Sequence, residues 1–231
     1  MARQGKRALA GVAGVLALVL AVAGALFETG TEEAKAGRPD AYVLALSWSP
    51  SYCLDEGSDD RDQCGTRRPR AYSFVTHGLW PQGDGGNARL EYCEKPAPWV
   101  DEDVIAEVLD TIPTRRLALH QWRKHGTCSG LDAAAYFDLT ETARARIRIP
   151  DAMQRPTAPV VMSQREAVEA FVRVNPDLPA NAIVLDCGNR TGQARLREVR
   201  FCLDGSLAPR ACTRAERTSC RADTLILPPV R

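Results

Sequence analysis

The sequence predicts an α+β domain built around a central antiparallel β-sheet, with several helices flanking that sheet. Two observations predict this class. After about residue 37, β-prone runs occur near both ends of the chain, and amphipathic helical patterns fill the region between them. All eight cysteines fall in the same stretch. We therefore expect one domain stapled by disulfide bonds.

The first 36 residues are predicted to be a secretory signal peptide and a flexible leader, which leaves residues 37–231 as the folded domain. A basic stub, Met1–Arg7, precedes the uncharged apolar stretch Ala8–Phe27, which is the pattern of an export signal. Two triplets of mostly small residues, at 21–23 and 34–36, fit a cleavage site, and the sequence does not choose between them. The alternative is an uncleaved membrane anchor, because about 20 apolar residues can span a bilayer. We favour cleavage because the stretch is rich in Ala and Gly, and we expect a secreted or periplasmic protein.

Charge and cysteine spacing restrict the kinds of site to expect. From residue 37 onward, basic and acidic residues are equal in number, which argues against broad electrostatic capture of nucleic acid. No two cysteines have the spacing Cys-x-x-Cys. This favours four disulfides over a structural zinc site.

The first part of the domain predicts two strands, Tyr42–Trp48 and Tyr72–Trp80, because both runs are β-prone. Ser49–Pro69, which is rich in Asp, Gly and Arg, predicts a loop between them. Pro81–Gly86 combines Pro, Gly and Asp and predicts a turn after the second strand.

Four helices are predicted in the middle of the chain. They cover Asp101–Leu109, Thr114–His125, a segment starting near Asp132, and a segment after Ser163. Acidic residues at the start of the first, Thr114 as a cap of the second and a Ser163–Glu166 capping box at the fourth support these boundaries. The C-terminal part returns to strands at Ala182–Leu185, Leu196–Leu203 and Thr224–Leu227.

The three histidines lie in two short segments that also carry Gly and Trp. His77 ends a β-prone run, whereas His120 and His125 share the second predicted helix with Gln121 and Lys124. At about 100° per residue, these four helical residues fall within an arc of roughly 140°. Two imidazoles, an ammonium group and an amide on one face favour an anion as their partner.

Each of these residues taken alone has a simpler interpretation. A single histidine is more often structural than catalytic, Lys124 can be a solvated surface residue, and Trp80 and Trp122 can be core residues. Their concentration in two segments favours chemistry instead. Histidine suits proton transfer near neutrality because its ordinary pKa is about 6.5.

Both segments resemble the active-site segments of the ribonuclease T2 family. His77-Gly78-Leu79-Trp80-Pro81 is similar to the first, and Leu117–Cys128 is similar to the second. Leu44–Cys53 and Val199–Asp204 are further stretches that resemble the family's opening strand and its C-terminal part.

The resemblance implies cleavage of single-stranded RNA without a metal or any other cofactor. The ribose 2′-hydroxyl attacks the adjacent phosphorus and a 2′,3′-cyclic phosphate forms, which water then opens. By resemblance, His125 is the general base and His77 the general acid. Lys124 stabilises charge on the phosphoryl oxygens, and His120 helps to hold the phosphate.

Substrate binding is assigned to Trp80, Gln82 and Trp48, with Trp80 resembling the family's base-stacking aromatic residue. Three departures from the family pattern bear on this site: Gln121 replaces the usual Glu, Gln82 replaces a common acidic residue, and Ser47 replaces a common Gln. An amide cannot ionise or tune a neighbouring histidine. We expect Gln121 to preserve activity with a shifted pH optimum, and base preference stays open.

The resemblance also implies four disulfide pairs. They are Cys53–Cys64, Cys93–Cys128, Cys187–Cys220 and Cys202–Cys212. From the residues alone, the pairing is open.

Two other functions compete with RNA cleavage. One is an RNA- or nucleotide-binding protein of the same fold without turnover, and the other is a metal-dependent phosphoesterase that uses His120, His125 and Cys128. Retention of both proton-transfer histidines disfavours the first, and the absence of an acidic cluster disfavours the second. We expect RNA as the substrate, no stable protein partner, no membrane contact beyond the signal, and a monomer.

Overall fold

The computed structural model describes residues 39–56, 60–65, 71–188, 191–217 and 220–231. The predicted signal peptide and leader at residues 1–36 lie outside these ranges. Within them, no helix combines the length and the apolar character that crossing a bilayer requires.

The secondary structure is α+β, as the sequence predicts. The strands are β1 (Ala41–Trp48), β2 (Phe74–Gly83), β3 (Ala88–Arg89), β4 (Val160–Ser163), β5 (Ile183–Asp186), β6 (Thr191–Arg195), β7 (Glu198–Asp204) and β8 (Arg221–Leu227). The α-helices are α1 (Ser49–Glu56), α2 (Arg61–Cys64), α3 (Glu102–Val108), α4 (Arg115–Lys124), α5 (Ala133–Ala145) and α6 (Gln164–Val174).

A five-stranded antiparallel sheet with the order β3-β2-β1-β7-β5 forms the centre of the fold. Strand β1 lies in the middle, and its even-numbered side chains enter the main core with those of the helices. The odd-numbered Val43 instead joins a smaller apolar cluster, against which Trp80 packs. Both faces of β1 are therefore covered, as expected for a central strand.

Strand β2 contains a β-bulge at His77. Ala45 of β1 pairs with Gly78, and the next residue, Leu46, pairs with Thr76, so His77 has no partner in β1. A bulge of this kind inserts one extra residue and changes the direction in which a side chain points. The bulge therefore places an imidazole where regular alternation would not.

A second sheet with the order β4-β8-β6 was not predicted, and its β6–β8 pair is parallel. The predicted strand Leu196–Leu203 was wrong at its start, because Leu196 and Arg197 separate β6 from β7. The Leu196 N–H donates to the Ile226 carbonyl beside the second sheet, whereas the Arg197 N–H donates to the Asp186 carbonyl of the first. The chain changes sheets at this point.

Two further predictions are corrected between β1 and α3. Helices α1 and α2 occupy much of the predicted loop Ser49–Pro69; residues 57–59 and 66–69 of that loop lie outside the described ranges. The predicted turn Pro81–Gly86 is shorter, because β2 continues to Gly83 and a 3₁₀ turn covers only Asp84–Gly86.

The predicted helix boundaries in the middle of the chain are confirmed within a few residues. Thr114 caps α4 by accepting a hydrogen bond from the Leu117 N–H, and Asp132 caps α5 in the same way. The Ser163–Glu166 capping box at the start of α6 is present. These ends are set by neighbouring residues, which is why the sequence predicts them well.

Four disulfides join the pairs Cys53–Cys64, Cys93–Cys128, Cys187–Cys220 and Cys202–Cys212. These are the pairs that the family resemblance implies. The second one ties the segment after β3 to the turn that follows α4. This fixes the C-terminal end of α4 relative to the sheet.

Candidate active site

His77 lies at the bulge of β2, and 37% of its side chain is exposed. Its Nδ1 atom is 2.6 Å from Oε2 of Glu198. Glu198 belongs to β7 and pairs across the sheet with Ser47 of β1, whose hydroxyl donates to the same carboxylate oxygen at 3.0 Å. Three adjacent strands thus contribute to the surroundings of one imidazole.

The Glu198 carboxylate is almost completely buried, with 7% of its side chain exposed. Arg200 donates from Nε to the second carboxylate oxygen, Oε1, at 2.6 Å and from a terminal nitrogen to Asp186 at 3.1 Å. Burial raises the pKa of Glu198, but the His77 hydrogen bond, the His77 charge and Arg200 outweigh it and lower this pKa to about 2. The carboxylate is therefore ionised at neutral pH.

His125 caps the C-terminal end of α4, and only 5% of the residue is exposed. Burial lowers its pKa to about 3, with further lowering by the charges of Lys124 and His77, against a smaller raising effect of the Leu90 backbone. His125 is therefore a neutral imidazole at physiological pH, the form that can accept a proton.

Trp80 connects the two histidines. The His125 ring stacks on the indole with centroids 5.4 Å apart and an angle of 26°. The His77 ring meets the same indole edge to face at 5.3 Å and 84°. The Arg200 guanidinium lies 5.0 Å from the indole centroid. One aromatic ring therefore contacts both imidazoles and the cation that holds Glu198.

Gln121 is buried, and its Oε1 accepts a hydrogen bond from Trp80 Nε1 at 3.0 Å. Gly78 makes this contact sterically feasible, because a Cβ atom there would lie 2.2 Å from Gln121 Oε1. Gln121 and His125 are thus both buried, although the helical pattern predicts a face directed at an anion. Both are enclosed by the first active-site segment.

His120 and Lys124 lie at the exposed side of the same helix. The His120 pKa is lowered by partial burial and by the neighbouring positive charges, Lys124 first among them. The Lys124 Nζ atom is 3.5 Å from Oε1 of Glu91, and both side chains are partly exposed. A phosphate that binds Lys124 has to compete with this carboxylate.

A cavity of about 320 Å³ opens beside His77 and His120, which both line it. Ser47, Tyr52 and Arg116 contribute polar groups to its wall. The cavity lies next to His77 on the side of α4 and α1.

Two predicted substrate-binding residues are corrected by their burial. Trp48 is fully buried, packs edge to face on Phe74 and donates from Nε1 to the Pro228 carbonyl. Gln82 is 5% exposed and donates to the Trp80 carbonyl at 3.2 Å. Trp48 is a core residue, and Gln82 bonds within its own strand, so neither presents its side chain to a substrate.

Sequence reasoning missed Glu198, Arg200 and Glu91. Glu198 and Arg200 left a signal, because two charged residues spaced by two in a β-prone run share one face of a strand. The proposed metal ligand Cys128 is bonded to Cys93, so its sulfur has no thiolate to offer a metal.

Comparisons with known proteins show which family the chain resembles in sequence and in fold. The sequence model of the Ribonuclease T2 family matches residues 39–212. A ribonuclease of Aeromonas hydrophila is 32% identical over 181 residues, which cover 74% of this chain and 74% of that protein. A probable ribonuclease of Haemophilus influenzae is 31% identical over 123 residues, 48% of this chain and 44% of that protein.

The fold agrees as well. The structure of ribonuclease MC1 from bitter gourd seeds matches with a TM-score of 0.60 at 23% identity, covering 80% of this chain and 98% of that one. The chain therefore belongs to the ribonuclease T2 family, with the fold and the enzyme class, T2-type endoribonuclease, that this family implies.

Proposed function

We propose that the protein cleaves single-stranded RNA by metal-independent transphosphorylation, with His125 as the general base and His77 as the general acid. His125 takes the proton of the ribose 2′-hydroxyl while the 2′-oxygen bonds to phosphorus. The bond from phosphorus to the 5′-oxygen breaks, and His77 gives its proton to that oxygen. The product is a 2′,3′-cyclic phosphate, which water opens in a second step.

The observation that carries this proposal is the contact of both imidazoles with the single indole of Trp80. An in-line displacement needs its acid and its base on opposite sides of one phosphorus. His77 comes from a strand and His125 from the end of a helix, so the two rings are held independently.

The electrostatic surroundings of the His77 and His125 rings differ, and the difference supports His125 as the base and His77 as the acid. Burial and neighbouring positive charge keep His125 neutral, with a pKa of about 3. His77 has an ionised carboxylate at Nδ1 instead. Groups that share a site but differ in this way are suited to opposite proton-transfer roles.

Lys124 and His120 support the phosphate in this proposal, and Gln121 and Trp80 have other roles. Lys124 exchanges Glu91 for a phosphoryl oxygen, because a cation near the developing negative charge lowers the barrier. His120, which is exposed, contributes a hydrogen bond to the phosphate. Gln121 keeps the Trp80 indole in place, and Trp80 offers its ring to a base of the RNA.

The proposed location is outside the cytosol, in the periplasm or the medium. Four disulfides in one domain of this size are typical of oxidising compartments. The proposed active form is a monomer, since every group named in the mechanism comes from one chain.

The test is to incubate the purified protein with single-stranded RNA, with and without EDTA, and to analyse the termini. We expect EDTA-resistant products that carry 2′,3′-cyclic phosphate. His77→Ala and His125→Ala should each lower kcat by about 10²- to 10⁴-fold, the range for a general acid or base. A third variant, Lys124→Ala, tests the proposed role of Lys124 at the phosphate. Its control is Lys95→Ala, at an exposed lysine.

Three outcomes contradict the proposal. Absence of cleavage would indicate a binding protein of the same fold, and EDTA-sensitive cleavage would indicate a metalloenzyme. Full activity after replacement of either ring would remove that histidine from the mechanism.

A further inference from the structure

We propose that Glu198 is a positioning residue that fixes the orientation and the tautomer of the His77 imidazole. This inference rests on the proposed role of His77 as the general acid. It gives a role in catalysis to β7, a strand that lies outside the two histidine segments.

The geometry at Nδ1 is the first support. The distance of 2.6 Å between His77 Nδ1 and Glu198 Oε2 is that of a short, charge-assisted hydrogen bond. A carboxylate accepts only, so the Nδ1 atom carries the proton. The other ring nitrogen, Nε2, is then the atom that can donate to the leaving oxygen when the ring is charged.

The second support is the rigidity of the carboxylate itself. Ser47 donates to Oε2 at 3.0 Å and Arg200 donates to Oε1 at 2.6 Å, so both oxygens are held. Arg200 is held in turn by Asp186 at 3.1 Å. Partners of this kind behind a functional histidine orient its ring and select its tautomer.

The third support is the cost of placing this carboxylate here. Burying an ionised group is unfavourable unless its partners compensate, and a strand position within a sheet is readily occupied by an apolar residue. Arg200 and Ser47 offset part of the cost. Within this cluster, Glu198 is buried and His77 is partly exposed. The buried carboxylate therefore supports a ring that faces solvent.

The proposal predicts a dependence on the leaving group. A nucleoside 5′-oxygen needs a proton as it departs, whereas 4-nitrophenolate departs without one. Two substrates with the same 5′-nucleoside, a dinucleotide and a nucleoside 3′-(4-nitrophenyl phosphate), therefore separate acid catalysis from all other steps.

Glu198→Gln should lower kcat on the dinucleotide by about 10- to 100-fold, part of the contribution of a general acid. It should lower kcat on the 4-nitrophenyl substrate by less than about threefold, with KM little changed for both. In a His77→Ala background, the same substitution should add little, because residues that act as a unit are not additive.

Glu216→Gln is the matched control. Glu216 is also buried and paired with an arginine, Arg210, but it lies outside the His77 cluster. We expect it to lower stability and to change the rates on the two substrates by the same factor. Glu198→Asp keeps the charge but moves the carboxylate, and it should lower the dinucleotide rate selectively as well.

A measurement on the unsubstituted protein covers the case in which the variants do not fold. Long-range ¹H–¹⁵N correlation spectra of the imidazoles should show neutral His77 protonated at Nδ1. Neutral His77 protonated at Nε2 would overturn the proposal, as would equal losses of Glu198→Gln on both substrates. If His77→Ala itself leaves dinucleotide cleavage at full rate, the assigned acid is wrong, which is a failure of the proposed function.

Discussion

Gln121 accepts a hydrogen bond from the Trp80 indole at 3.0 Å, and a glycine, Gly78, leaves the space for it. This contact joins the two segments that carry the histidines, since Trp80 lies in β2 and Gln121 in α4. The position of the His125 ring depends on it, because that ring stacks on the same indole.

Gly78→Ala should weaken this junction. The added Cβ would lie 2.2 Å from Gln121 Oε1 and 3.0 Å from Trp80 Nε1, so the amide must move. We expect a loss of about 1–3 kcal/mol in the free energy of unfolding, measured by urea denaturation, together with lower kcat. Gly83→Ala in the same strand is the control, because its nearest contact would be 3.5 Å away. Equal effects at both glycines would contradict this account.

Gln121→Glu should shift the pH profile of kcat/KM. A carboxylate beside the indole favours the protonated form of the adjacent His125 and raises its pKa from about 3. The base must be neutral to act, so the acidic limb should move to higher pH, by about one unit. The measurement is kcat/KM from pH 3 to pH 9, with exposed Gln154→Glu as the control. An unchanged profile would refute the prediction.

The free energy of unfolding should decrease as the pH is lowered, partly because of His125. Its folded pKa of about 3 lies below the ordinary value of 6.5, so the unfolded chain binds the proton more readily. The contribution of His125 to the free energy of unfolding is fully present above pH 6.5, and it is lost as the pH falls from there towards 3. Between pH 7 and pH 4 the loss should be about 2–4 kcal/mol. Urea unfolding of His125→Asn should show a flatter dependence on pH. The exposed His120→Asn is the comparison, and an equal flattening there would contradict the role of burial.

Removal of the Cys93–Cys128 disulfide should destabilise the domain by about 4 kcal/mol on the loop-entropy model, since it spans 35 residues. The Cys53–Cys64 disulfide spans 11 residues, and its removal should cost about 1 kcal/mol less. Double Cys→Ala variants compared by thermal unfolding test this order. The first variant should also raise KM, because the bridge fixes the C-terminal end of α4, which carries Lys124. The reverse order of stabilities would show that loop length does not govern these bridges.

The sequence predicts features that depend on neighbouring residues. Helix α4 and its Thr114 cap, the Ser163–Glu166 capping box and the grouping of the histidines all follow from spacings of a few residues. The resemblance to a family adds the disulfide pairs and the roles of the histidines, which spacing alone leaves open.

The features that the sequence does not predict depend on distant pairing. Glu198 is 121 residues from His77, and only the register of β1 with both β2 and β7 brings them together. Trp48 is the opposite case: it is assigned to substrate binding from the sequence, but the alternation of β1 directs it into the core. Strand β4 is four residues long, too short to give a clear pattern.

The bulge at His77 also bears on how this protein can change. Phe74 and Leu79 both enter the main core although they are five positions apart, and a regular strand would send them to opposite faces. The histidine is the residue that reverses the phase between them. Deleting the bulged residue would leave Phe74 and Leu79 four positions apart, opposite Trp48 and Leu44, which are also four apart, so a regular strand would still send both side chains to the core. Descendants of this chain can therefore lose the proposed acid either by exchanging its side chain or by deleting its position, with the packing of the sheet kept in both cases.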